Sequence, residues 1–93
     1  MKKRIVIEEV WGNVSKYPGF SVVPVRVLDG DVLIGDEFVL EGSSGPNAAP
    51  AVKIIKIVCY DQEVDILSTG WTGALIFSNR PFPYVKTQVL TSV

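Results

Sequence analysis

Apolar residues along this chain come in short runs, cut by glycine, proline or polar pairs, and within the runs polar residues tend to alternate. A period of two marks a half-buried strand, and no stretch carries the 3.6-residue period of a helix over a useful length. The pattern predicts strands over residues 3–11, 20–28, 37–41, 51–60, 73–77 and 85–93, with short extended pieces at 32–34 and 64–67. Pro18-Gly19, Asp29-Gly30 and Gly35-Asp36 are turn pairs, and 42–50 reads as a mobile loop with no apolar residue larger than Ala. Pro24 has no amide hydrogen to give a ladder, so its strand should lie at an edge or carry a bulge there.

Six or seven short strands bury their edges best by closing, so the expected fold is all-β, a small closed six- or seven-stranded barrel. The expectation is one domain over 1–93. Strict alternation in the long strand puts Ile55, Ile57 and Cys59 on one face and Ile54, Lys56, Val58 and Tyr60 on the other. Both faces are largely apolar, so one is core and the other is covered by loops or is a contact surface. Val25, Val27, Ile55, Ile57 and Val89 are the expected core residues.

Composition narrows the function. Nine basic residues face ten acidic ones, a net charge of -1. Binding nucleic acid mainly through phosphates needs a basic surplus, and the one basic run is Lys2-Lys3-Arg4. Cys59 is the single cysteine, so no internal disulfide forms, which fits a reducing compartment. The apolar runs fall far short of the ~20 residues of a membrane span. A cytoplasmic location is expected.

Two Gly-Asp pairs, at 30–31 and 35–36, divide the segment 25–42 into strand, turn, extended piece, turn, strand. Glycine permits positive φ and aspartate bonds neighbouring amides, which makes this a corner device with structural carboxylates. The same segment, Gly30-x-Val32-x-x-Gly35-Asp36-x-Phe38-x-Leu40, resembles the G-x-[VIL]-x-x-G-[DE]-x-V-x-[IL] signature of the second domain of translational GTPases such as elongation factor Tu. Ile7–Trp11 resembles the entry strand V-x-D-V-F, and 22–30 resembles V-V-T-G-R-V-x-x-G. Residues 69–76 stand where the family has A-G-D-x-V-G-V-L-L, and 86–90 where it has R-G-x-V-L.

The departures are specific. Residues 12–19 exceed the usual short turn, Trp71 stands where an acidic residue is usual, and Thr87 replaces a glycine. No G-x-x-x-x-G-K-[ST] phosphate loop is present, so no GTP binding is expected. The resemblance implies a barrel without chemistry of its own, which packs on a GTPase domain, touches the ribosome or holds the aminoacylated end of transfer RNA. The family position lining that last pocket corresponds to Val27. Its acidic partner has Asp65 as the nearest carboxylate, but Ile66 is the better aligned position.

The chain has no histidine, and its lone thiol therefore lacks the usual activating base. Cys59 is expected to be a buried structural thiol, and no catalytic residue, metal or cofactor is expected. Trp71 in a turn is either a partner contact or a lid over a barrel mouth. Arg80, Phe82 and Tyr84 either stack on a partner or plug the other end of the barrel. The reading that results is a non-enzymatic binding module that contacts a protein or an RNA or ribosomal partner. The alternative is a self-associating structural module, a possible homo-oligomer.

Overall fold

A computed structural model describes residues 2–12, 14–42 and 50–93. Among the described residues nine strands make up the regular structure: β1 Arg4–Ile7, β2 Ser21–Asp29, β3 Val32–Leu33, β4 Glu37–Leu40, β5 Val52–Cys59, β6 Gln62–Val64, β7 Ile66–Leu67, β8 Thr72–Phe77 and β9 Val89–Ser92. Hydrogen-bonded neighbours run β4-β9-β1-β2-β8-β5, and β5 pairs back to β4, closing a ring of six strands. All the pairings are antiparallel. β6 extends from β5 by a hairpin, and β3 pairs with β7 in a separate two-stranded ribbon. Among the described residues no helix is long and apolar enough to cross a membrane. The loop expected at 42–50 lies, over 43–49, outside the described residues.

The Gly-Asp corners work as turn chemistry dictates. Gly30 and Gly35 adopt positive φ, 76° and 93°. The Asp36 carboxylate accepts the Leu33 amide at 2.8 Å and the Lys3 ammonium at 2.6 Å. Asp31 accepts the Thr69 amide at 3.2 Å, tying the first corner to the turn before β8. Between the corners, Val32 and Leu33 pair with Leu67 and Ile66. The chain then re-enters the ring, where Gly35 donates to the Ile54 carbonyl and Ile54 donates to that of Asp36.

Val25, Val27 and Ile57 lie in the core with Phe38, Phe77 and Leu90. Cys59 is also buried, its thiol 3.7 Å from the Thr72 carbonyl. Ile55 does not join them and stays 36% exposed. The β5–β8 register breaks between Ile54 and Lys56, where an extra residue makes a bulge. The extra residue inverts the alternation, so Ile54 and Ile57 both face inward while Ile55 faces out. Val89 is half-buried and Leu90 takes the core position. The last strand begins at Val89 rather than Val85, so a phase counted from 85 does not carry through. Gly73 faces inward without room for a side chain: a Cβ there would sit 2.9 Å from Leu67 Cδ1 and 3.1 Å from the Val58 carbonyl oxygen.

β2 is internal, so Pro24 is accommodated by a bulge and not by an edge. Ile7 pairs with Val25 and Trp11 with Val22, which leaves one extra residue on the first segment. There the amides of Glu8 and Glu9 both donate to the Pro24 carbonyl, at 2.8 and 3.4 Å. At the other end of β1, Arg4 contacts Glu41 and Asp29. The hydrogen bond from Arg4 holds the Glu41 carboxyl below its ordinary pKa.

Thr87 stands at φ 75°, a conformation that costs a β-branched residue about 1–2 kcal/mol. Thr87→Gly should therefore raise stability by about 1 kcal/mol, after the entropy that glycine adds to the unfolded chain. Urea melts of the two proteins measure this.

Candidate functional site

The outer face of β2–β8–β5 carries a groove of about 500 Å³. Antiparallel pairing sets its floor in a row: Pro24 pairs with Ala74, which pairs with Val58, while Ile76, the partner of Val22 in the next row, is buried. Ala74 lies between larger neighbours and lowers the middle of the floor. One wall comes from the long connection after β1, through Trp11, Val14 and Tyr17. On the other side the β5–β6 turn, with Tyr60 and Asp61, borders the groove, and Tyr17 reaches across to Glu63 of β6. Glu8 and Lys16 complete the rim.

The wall aromatics are held differently. Trp11 forms a two-way backbone bridge with Val22, at 2.8 and 2.9 Å, and its ring remains 50% exposed. Tyr17 donates its hydroxyl to Glu63 at 3.3 Å. Desolvation, followed by the Glu63 charge, raises the pKa of this phenol, so it keeps its proton as donor. The Lys16 ammonium sits 5.9 Å from the same ring centre. Tyr60 is 92% exposed.

Tyr60 and Asp61 close the β5–β6 hairpin as a two-residue loop between the paired Cys59 and Gln62. Both have positive φ, 52° and 62°. That is the type I′ geometry, for which Asn-Gly is the unstrained choice. An aromatic side chain is thus placed in solvent at a position whose backbone disfavours it. Strain of this kind is a pointer to function when the surroundings hold it in place.

A second, smaller cleft shares Tyr60 and is lined by Cys59, Gly70, Trp71 and Thr72. Trp71 is 55% exposed and lies outside the core cluster. Its carbonyl accepts the Val27 amide at 2.9 Å, which anchors the turn before β8. Trp71 is therefore no lid on the core.

The other residues singled out from sequence sit elsewhere. Val27 is 1% exposed and offers no surface to a ligand. Tyr84 is 3% exposed, with its hydroxyl donating to the Pro50 carbonyl at 2.5 Å. Phe82 packs between Phe77 and Tyr84, with centroids at 4.9 and 5.9 Å. These rings plug the barrel end beyond Phe77, the far end of β8 from Trp71, and do not form a recognition loop. Arg80 is exposed beside them. Trp11, Tyr17 and Tyr60, which form the groove, did not stand out in the sequence.

No family profile matches the chain, and no curated protein matches it. A search of solved structures does find similarity: the GDP-bound aIF5B from Aeropyrum pernix aligns over 98% of this chain with a TM-score of 0.75 at 16% identity. The fold is that of a translational-GTPase barrel. The chain spans 14% of the length of that protein, and at this identity the likeness is one of fold. The elongation factor Tu domain 2-like barrel is thus the architecture on which the groove is built.

Replacing Tyr60 with Asn should relieve the turn and raise stability by about 0.5–1 kcal/mol. Trp71→Ala should cost far less than the ~3–5 kcal/mol of a buried Trp. Thermal or denaturant melts check both, and a large loss for Trp71→Ala would return it to the core.

Proposed function

We propose that this chain is a non-enzymatic binding module, related to translation-factor barrels, that uses the outer groove of β2–β8–β5 to hold a protein partner. The observation that carries the reading is Tyr60, almost fully exposed at a strained turn and bordering, with Trp11 and Tyr17, a groove with an apolar floor. Aromatic side chains give large contact area at low entropic cost and dominate interface energetics. The outer end of the groove continues to Trp71.

Charge favours protein over RNA. Lys3 is paired with Asp36, Arg4 with Asp29 and Glu41, and Lys56 with Glu63. Three of the basic groups that could have made a phosphate-binding stripe are thereby neutralised, and Asp61 at the groove rim, unlike Glu8 with its Arg26 partner, is left to repel phosphate. Without a phosphate loop, the chain is not expected to bind GTP.

The test is a capture from native lysate with immobilised chain, with and without nuclease. Retention of partners after nuclease, and their loss with Tyr60→Asn, is the expected result. Loss on nuclease treatment with no effect of Tyr60→Asn would replace the protein reading with an RNA one.

A separate observation favours the self-associating alternative. On the β3–β7 ribbon, Leu33 and Ile66 face each other and both are exposed, with Ile34 beside them. Such an aliphatic patch fits a second copy of the chain. Sedimentation should then show a dimer that Leu33→Ser with Ile66→Ser converts to monomer. A wild-type monomer at high concentration would remove this alternative.

A further inference from the structure

We propose that the occupant of the outer groove is a proline-rich segment in the polyproline II conformation, followed by a basic residue. This rests on the protein-binding reading above and gives the partner a chemical class.

The floor dictates the choice. β2, β8 and β5 are each paired on both sides within the ring. Their backbone groups are spent on that pairing, so an incoming peptide finds no free ladder along the groove. A partner added as a β-strand would leave its own amides unpaired against an apolar floor. Polyproline II has no internal hydrogen bonds, keeps its backbone solvated, and enters preformed.

Dimensions agree. Two inter-strand spacings separate β2 from β5, about 10 Å. One turn of polyproline II advances about 9 Å over three residues. A single turn therefore spans the floor from Pro24 to Val58, with Trp11 one strand beyond β2 and Tyr60 two residues past Val58. Its proline rings would rest on Pro24, Ala74 and Val58, between aromatic walls. Trp11 and Tyr60 each carry a polar hydrogen that can donate to the solvated carbonyls of such a helix.

Charge gives the direction. Glu8 is paired with Arg26 at 3.6 Å, and Glu63 accepts from Tyr17 and faces Lys56. Asp61 has no hydrogen bond or ion pair among the described residues. An unpaired carboxylate beside the Tyr60 wall suits an arginine or lysine at the end of the segment. Lys16, at the opposite wall, would repel it there.

The test is a titration of isotope-labelled chain, followed by amide resonances, with two blocked peptides. One repeats alanine-proline-proline and ends in arginine, and the other has every proline replaced by alanine. Saturable shifts at Trp11, Tyr60, Gly73 and Ala74 with the first peptide, about tenfold weaker with the second, are expected. Tyr60→Asn should weaken the first by about tenfold or more while raising the melting midpoint, which a purely structural role for Tyr60 does not produce. Equal binding of both peptides in the groove would overturn the polyproline proposal and leave the protein-binding reading standing. Absence of groove shifts with the proline peptide overturns the proposal outright. If a mixed-sequence RNA heptamer then shifts the same amides, the protein-binding reading falls with it.

Discussion

Ring closure hangs on a short contact between β4 and β5. Two residue pairs, Glu37 with Lys53 and Phe38 with Val52, join the ends of the six-strand order. The corner ahead of them extends the contact through the reciprocal bonds of Gly35 and Asp36 with Ile54. Phe38 and Val52 are both fully buried there, so backbone pairing and core burial support each other at the seam. Without the seam β4 and the Val52–Lys53 end of β5 would lie at an open edge, with unpaired amides open to association. Asp36 therefore has two tasks in one carboxylate: it satisfies the Leu33 amide inside the corner and draws in Lys3, next to β1 on the other side of the ring.

The groove depends on that closed ring, because its floor strands stay paired on both sides. The walls do not. One is an irregular connection and the other a two-residue turn, attached to the ring by a Trp11–Val22 bridge and a hairpin. The exposed aromatic side chains are placed on short segments and the shape beneath them is set by the sheet, the usual arrangement of loops on a rigid scaffold.

Much of the ring was legible in the residues. Gly-Asp turn chemistry and period-two patterning gave every strand of the ring, though not each boundary. The split of 64–67 between β6 and β7 was hidden because a single bend at Asp65 leaves little trace in composition. Ile55 was misplaced because a bulge shifts phase without changing which residues are apolar. Phe82 and Tyr84 were ambiguous since a plug and a recognition loop use the same rings. Burial then separates them. Trp11 and Tyr60 were absorbed into strands by their apolar neighbours. A turn after the long strand was expected at 61–63, but its two-residue form at Tyr60-Asp61 was not, because it lacks the Asn-Gly that ordinarily marks that geometry. The left-handed backbone at Thr87 was foreshadowed by the glycine that the resembling barrels place there.

The Pro24 bulge has a consequence for how the chain could diversify. A bulge absorbs a mismatch in length between two strands; beyond it Trp11 returns to pairing with Val22, and only the connection that follows Trp11 is free of the register of β2. Residues added or removed in that connection alter the height of one groove wall without sliding the sheet beneath it. The barrel is in this sense a fixed mount with an interchangeable jaw. Barrels that share this ring can differ in that segment without disturbing the strands beneath it.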